Sequence, residues 1–216
     1  MPTTHRPAFA PHDALAAKLL PHATEGDDGS HDIAHLQRVW NNAAAIQASE
    51  GGDSAILAAS VLLHDCVTVE KNDPLRPQAS RLAARKASDV LAALDWPADR
   101  IAAVAHAIEA HSFSAGIPPE TLEARILQDA DRLDAIGMIG VARCFYVAGR
   151  LGSALYDPAD PAAEERPLAD ARFALDHFDN KLFKLADGFQ TATGARLAAT
   201  RQQRLRRFYD EFLDEI

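Results

Sequence analysis

His64 and Asp65 stand side by side at the end of the apolar run 58–63. Such a run is typical of a buried helix, and a polar group that is buried without a partner costs about 1–3 kcal/mol. A divalent cation would supply a partner for both side chains, because neutral imidazole and carboxylate are common ligands of such ions. The alternative is a solvated helix end, at which the two residues only cap the helix and pair with each other.

Two other segments add residues of the same kinds. His35 lies in the segment 29–39, and Asp131 lies in the helical segment 126–137. A histidine, a later His-Asp pair and a distant aspartate in a helix resemble the HD superfamily of metal-dependent phosphohydrolases. Within that superfamily the chain is most similar to the stand-alone bacterial HD hydrolases of about this length.

The resemblance extends over residues 28–216 through several short motifs. These motifs are His31-Asp32…His35…Arg38-Val39, Leu62-Leu63-His64-Asp65, His111-Ser112-Phe113-Ser114, the stretch 129–140, His177-Phe178…Lys181-Leu182…Leu185, and Thr193-Gly194…Ala198. The resemblance implies an all-α HD-domain helical bundle with a metal site between core helices. The ligands that it implies are His35, His64, Asp65 and Asp131.

The resemblance also places His31 near the site, as a contact to substrate or water, although the sequence favours a purely structural role for this residue. His31 and His35 are four residues apart, a spacing that suits a zinc pair. No glutamate follows His31, as the H-E-x-x-H motif of zinc peptidases requires. A zinc peptidase is therefore not favoured.

Helical phase distinguishes the two histidines of the segment 98–111. At about 100° per residue, one apolar face of this segment contains Ile101, Val104, Ala105 and Ile108. His111 adjoins that face, whereas His106 points away from it towards solvent. We therefore expect His111 to lie at the site. The alternative is a histidine that bonds to free carbonyl groups at a helix C-terminus.

Helical phase does not separate Asp129, Asp131 and Asp134. Only the resemblance selects Asp131, within the motif Asp-Ala-Asp-Arg-Leu. Asp129 and Asp134 are left as carboxylates that could orient ligand histidines.

Three cations near these motifs could neutralise phosphoryl oxygens. Arg38 follows His35 by three residues and so lies on nearly the same helix face, Lys71 lies in the loop after the His-Asp pair, and Arg132 follows Asp131. The alternative for each is a surface charge or a salt bridge. Glu70 is a weaker candidate for moving a proton. We assign catalytic roles to Asp65, Arg38, Lys71 and His111.

Composition limits the class of protein. The chain has 216 residues, enough for one domain with a substantial core, and a net charge of −9, which argues against a nucleic-acid polymer as partner. The two cysteines have no C-x-x-C spacing, so we expect a reducing compartment.

The N-terminal residues have no apolar run that would make a secretory signal, and no run of about 18 apolar residues suggests a membrane span. We expect a cytoplasmic protein with no membrane partner; a homodimer is left open.

Apolar periodicity predicts helices over 13–21, from residue 30 or 32 to 50, from 53 or 54 to 65, and over 78–94, 98–111, 119–152, 168–187 and 192–215. The helix over 119–152 either continues or kinks near Gly137 and Gly140. The proline-containing segment 153–166 is predicted as the longest loop, and it could be either a lid over the substrate or a plain surface loop. We divide the chain into an N-terminal tail with a short helix (1–24), an HD-domain core (25–150) and C-terminal helices that pack on the same domain (151–216).

The predicted function is metal-dependent hydrolysis of a phosphate ester or anhydride bond in a small metabolite, with a nucleotide favoured. Both a nucleoside triphosphate pyrophosphohydrolase and a 5′-nucleotidase suit the HD scaffold. The cofactor is predicted to be Mn²⁺, Ni²⁺, Co²⁺, Mg²⁺ or Fe²⁺, with manganese favoured because the ligands are mixed nitrogen and oxygen. The alternatives are an HD-type di-iron oxygenase and a nucleotide-binding regulatory module without turnover.

Overall fold

The structure is a computed structural model, and it describes residues 8–23, 32–69, 75–112 and 115–216. All the regular elements in these ranges are helical, which confirms the all-α class. The α-helices are α1 (Asp13–Ala23), α2 (Ile33–Glu50), α3 (Ser54–Leu63), α4 (Ala79–Ala93), α5 (Ala98–His111), α6 (Leu122–Asp134), α7 (Gly137–Leu151), α8 (Asp176–Asn180) and α9 (Ala192–Asp214). None of the helices in the described ranges combines the length and the apolar character needed to cross a bilayer.

The chain forms two compact units, Met1–Asp131 and Arg132–Ile216. The first unit is built around α3, which packs against α1, α2, α4 and α5. Every residue of α3 from Leu57 to Leu63 is buried, as expected for the apolar run that precedes the His-Asp pair. The C-terminal end of α3, which directly precedes His64 and Asp65, therefore lies in the interior of the first unit.

The start of α3 is fixed by polar bonds from two other helical regions. The carboxylate of Asp53 caps the helix by accepting the N–H groups of Ala55 and Ile56, and it also accepts two hydrogen bonds from Arg100 at the start of α5. The N–H group of Asp53 donates to the carboxylate of Glu123 in α6. These bonds fix α3 relative to α5 and α6, and so they fix the position at which α3 ends.

Helix α6 ends before α7 begins, where the sequence predicted one continuous or kinked helix. The interruption lies at Ala135 and Ile136, and Gly137 opens α7 with a φ of +70°, which favours glycine. A Cβ atom on Gly140 would lie 2.4 Å from the carbonyl oxygen of Ala135. The two glycines thus permit a tight turn that places the end of α6 close to the start of α7.

The second unit is organised around α7, α9 and the aromatic residues between them. Its buried core contains Val141, Leu175, Phe178, Leu182 and Leu205. Rings from Phe145, Phe208 and Phe212 pack against Phe178 or against one another, with centroid separations of 5.7–6.1 Å. Ten of the chain's fourteen aromatic residues, counting Phe, Tyr and Trp, lie in this unit.

The predicted helix over 168–187 is wrong for its first half. Residues 168–175 form a loop, and Phe173 in this loop makes an isolated parallel bridge with Ala154. The buried carboxylate of Asp176 accepts two bonds from Arg166, at 2.6 and 2.8 Å, and a third from the N–H group of Ala169 at 2.7 Å. These bonds hold the loop in a non-helical path, so regular structure is confined to α8 and to a 3₁₀ segment at Leu182–Ala186.

Candidate metal centre

Three helices of the first unit bring the predicted ligands together. His35 lies in the first turn of α2, where Asp32 caps the helix by accepting the N–H group of His35 at 2.8 Å. His64 and Asp65 follow the buried α3, and Asp131 lies in the last turn of α6. His35 and His64 are each only 1% exposed, whereas the side chains of Asp65 and Asp131 are about one third exposed.

The donor atoms of these four residues converge. The Nε2 atoms of His35 and His64 are 3.3 Å apart. Asp131 Oδ1 lies 3.6 Å from the first nitrogen and 3.8 Å from the second, and Asp65 Oδ2 lies 3.9 and 3.5 Å from them. Two donors that are each about 2.1 Å from a shared cation can be at most about 4.2 Å apart. The spacing of these atoms therefore fits a common cation.

The protonation of His64 also suits a metal ligand. Its Nδ1 atom lies 2.8 Å from the carbonyl oxygen of Val61, and because a carbonyl can only accept, Nδ1 carries the proton and donates. The Nε2 atom then keeps a lone pair that points towards the carboxylates. Histidines that bind metals usually donate their other ring N–H in this way.

His111 has the same arrangement at the end of α5. Its Nδ1 atom donates to the carbonyl oxygen of Ile108 at 2.6 Å, and its Nε2 atom lies 3.7 Å from Asp65 Oδ1. Burial lowers the pKa of His111, and the neighbouring His64 lowers it further, more than Asp65 and Asp131 raise it. The ring is therefore neutral at pH 7 and offers a lone pair to the site. His111 thus lies beside Asp65, and it also makes the bond to a helix carbonyl that was the alternative.

Two overlapping sets of donors arise within the described part of the chain. One set contains His35, His64 and Asp131, and the other contains His64, Asp65 and His111; within each set the donor atoms lie within 4.8 Å of one another. The two carboxylates carry two negative charges, which suits a divalent cation. His35, His64, Asp65 and Asp131 are the donors that would hold it.

The two arginines that were predicted to neutralise phosphoryl oxygens, Arg38 and Arg132, differ in their surroundings. Arg38 is half-buried on α2, one turn after His35. Arg132, in the second unit, donates from Nη1 to the carbonyl oxygen of Gly188 at 3.3 Å and stacks on Phe189 with the guanidinium carbon 5.4 Å from the ring centre. Lys71, Glu70 and His31 lie outside the described residues, so their predicted roles stay predictions.

His106 is separate from the cluster, although it is not simply solvated as predicted. It is half-buried, and its Nε2 atom accepts the N–H group of Glu120 at 3.0 Å. The predicted helix face did not account for this partner, because it comes from the segment that precedes α6. His106 therefore has a structural contact with the chain between α5 and α6.

Asp129 and Asp134 are both buried. Asp134 Oδ2 lies 3.3 Å from Arg143 Nη1 within the second unit. Cys66, which follows the His-Asp pair, is fully buried, and its thiol lies 3.5 Å from the carbonyl oxygen of Ala83. Cys66 therefore packs as a small residue in the interior of the first unit.

Three polar side chains near the cluster were not predicted from the sequence. Asn42 and Gln128 are buried, and Lys86 donates to the carbonyl oxygen of Cys66 at 2.8 Å. A signal for two of them was present: Asn42 follows His35 by two helical turns, and Gln128 precedes Asp131 by three residues, so both share a helix face with a predicted ligand.

Comparison with known proteins identifies the family. A family model described as HD domain matches residues 32–136. The protein named uncharacterized protein YpgQ of Bacillus subtilis is 31% identical over 194 residues, which cover 88% of this chain and 86% of that protein.

Solved structures agree with this result. The structure of an HD-superfamily hydrolase from Bacillus thuringiensis is 30% identical, with a TM-score of 0.72, and the match covers 94% of this chain and 95% of that chain. The structure of Bacillus subtilis YpgQ in complex with ADP is 28% identical, with a TM-score of 0.70, over 94% of this chain and 97% of that chain. The chain belongs to the HD domain family.

Proposed function

We propose that this protein is a metal-dependent phosphohydrolase that cleaves a phosphate ester or anhydride bond in a nucleotide, as a nucleoside triphosphate pyrophosphohydrolase or a 5′-nucleotidase. The observation that carries the proposal is the convergence of two histidine Nε2 atoms with carboxylate oxygens of Asp65 and Asp131, at separations of 3.3–3.9 Å. The name of the Bacillus thuringiensis relative, an HD-superfamily hydrolase, supports hydrolysis as the reaction class.

The donor set favours Mn²⁺ or Fe²⁺ over Mg²⁺, because two imidazoles and two carboxylates form a mixed nitrogen and oxygen shell. We assign manganese first. When bound, such a cation supplies a Lewis acid that withdraws charge from phosphorus and lowers the pKa of a bound water from about 15.7 towards 7. The ligands assigned to it are His35, His64, Asp65 and Asp131.

The residues of the chain have distinct tasks in this proposal. His111 is neutral, and its Nε2 lone pair faces Asp65, so it can accept the proton that the attacking water loses. Arg38 places a positive charge one helical turn from His35, where it can neutralise phosphoryl oxygens. Lys71 has the same assigned task. The partly exposed carboxylates leave the site accessible from solvent, as a small substrate requires.

A nucleotide is the favoured substrate because the relative YpgQ has a structure in complex with ADP. The match to that structure covers 94% of this chain. A small phosphorylated substrate is also compatible with a net charge of −9, because a local cation and a few basic side chains set the field at the site.

The experiment is a screen of metals against substrates. Protein stripped with a chelator is offered Mn²⁺, Mg²⁺, Co²⁺, Ni²⁺ or Fe²⁺ with nucleoside mono-, di- and triphosphates and simple phosphate esters, and chromatography separates phosphate from pyrophosphate. The proposal expects metal-dependent release of one of these products from a nucleotide. His64→Ala is the inactive comparison, and His106→Ala is the matched control because it removes a histidine outside the cluster. Nucleotide binding without a product under every metal would instead favour a regulatory module.

A further inference from the structure

Two buried amide side chains make equivalent bonds beside the candidate metal centre. Asn42 on α2 donates from Nδ2 to the carbonyl oxygen of Ala130 at 2.9 Å, and Gln128 on α6 donates from Nε2 to the carbonyl oxygen of Ala110 at 2.7 Å. In each case the acceptor belongs to the residue immediately before a candidate site residue. Ala130 precedes Asp131, and Ala110 precedes His111.

The peptide plane makes this placement significant. A carbonyl group is coplanar with the nitrogen and the Cα atom of the next residue, because the peptide bond does not rotate freely. A bond that fixes the carbonyl of Ala130 therefore fixes the Cα atom from which the Asp131 side chain projects. The bond to Ala110 does the same for His111.

The donors themselves are located on helices that carry site residues. Asn42 follows His35 on α2 by seven residues, which is two turns, and Gln128 precedes Asp131 on α6 by three. The first bond thus joins the helix of His35 to that of Asp131, and the second joins the helix of Asp131 to that of His111. Asn42 and Gln128 are only 7% and 5% exposed, so competition from water at these bonds is weak.

We propose that Asn42 and Gln128 are positioning residues, with Asn42 holding Asp131 in register for the cation and Gln128 holding His111 in place beside Asp65. The inference rests on the proposed metal site. Partners outside the ligand shell typically change metal affinity by about 10–100-fold when they are removed. Asn42 is therefore expected to act on metal affinity, and Gln128 on turnover.

The test uses Asn42→Leu and Gln128→Met, which remove the donor and keep an apolar side chain of similar or larger size. Gln202→Met is the matched control, because Gln202 Nε2 donates to the carbonyl oxygen of Phe183 at 2.9 Å in the second unit, away in sequence from any candidate ligand. Co²⁺ is titrated into each metal-free protein and followed by its visible absorption, and thermal unfolding is measured without metal. Asn42→Ala replaces Asn42→Leu if the larger side chain prevents folding.

The proposal expects Co²⁺ affinity to fall about tenfold in the Asn42 variant and to be unchanged in Gln202→Met, even where the two lose similar thermal stability. It expects Gln128→Met to lower kcat with little change in KM. Equal Co²⁺ affinity in the wild type and the Asn42 variant, together with an unchanged kcat in Gln128→Met, would overturn it. Asp131→Ala distinguishes the metal site from the positioning role. If Asp131→Ala binds Co²⁺ as tightly as the wild type does, the assignment of the metal site is wrong. If only Asn42→Leu binds Co²⁺ as tightly as the wild type does, the positioning role alone is wrong.

Discussion

Replacing His111 and His106 separately by alanine compares two histidines of the same helix, α5, that differ in environment. His111 is 8% exposed, donates from Nδ1 to the carbonyl oxygen of Ile108 and directs Nε2 towards Asp65. Loss of a positioned proton-transfer group typically costs 10²–10⁴-fold in rate. We therefore expect kcat of His111→Ala to fall by at least about 10²-fold.

His106→Ala is expected to affect stability instead of turnover. It loses one hydrogen bond, from the N–H group of Glu120 at 3.0 Å. Such a bond has a net value of about 0.5–1.5 kcal/mol. For a chain of this length each kcal/mol corresponds to about 2–4 °C in Tm. We expect a fall in Tm of a few degrees at most and an unchanged kcat.

The assay is phosphate or pyrophosphate release at saturating Mn²⁺, with thermal unfolding measured on the same preparations. Saturating metal separates a defect in proton transfer from a defect in metal binding. The reasoning fails if the two variants are equally active, or if His106→Ala is the one that loses turnover while its Tm is unchanged.

Three further predictions follow from the chemistry and the electrostatics. Hydrolysis should proceed equally well under anaerobic conditions; strict dependence on oxygen with no phosphorus product would instead indicate a di-iron oxygenase. Burial raises the pKa of Asp176, but bonds from Arg166 and from the N–H group of Ala169 outweigh it, so the net pKa is lowered. A carboxylate whose folded-state pKa is lowered stabilises the protein above the unfolded value of about 3.9, and this contribution is lost as the pH falls through the folded-state pKa. Urea unfolding should therefore show a loss of stability in Asp176→Asn at pH 7, and a difference from the wild type that shrinks as the pH falls below about 3.9. Burial, with the charge of Asp170, raises the pKa of the Cys144 thiol to about 11, so alkylation of Cys144 at pH 8 should be slow in the native protein and fast in urea; rapid native alkylation would contradict this environment.

The helices with strong local signals could be predicted from the sequence. Asp53 or Ser54 before an apolar run indicated the start of α3, and the structure has Asp53 as its cap. The segment 98–111 was predicted with the bounds that α5 has. In these cases the capping residue and the apolar periodicity act locally, so the sequence contains the information.

The elements that depend on long-range bonds could not be predicted. Residues 168–175 have a helical apolar pattern, but the carboxylate of Asp176 and the guanidinium of Arg166 hold them as a loop. At the site, the approach of His35 to His64 follows from the packing of α2 on α3, and periodicity within one helix contains no information about it. The resemblance to HD proteins, and not periodicity, selected Asp131 among its neighbouring aspartates.

The most direct test of the central claim is the metal content of His64→Ala and Asp131→Ala. Both variants and the wild type are loaded with Mn²⁺, desalted and analysed for bound metal, with far-ultraviolet circular dichroism to measure helix content and His106→Ala as the control. We expect stoichiometric metal in the wild type and the control, and a reduction of at least about tenfold in both ligand variants with nearly unchanged helix content. Full metal occupancy in both His64→Ala and Asp131→Ala would contradict it.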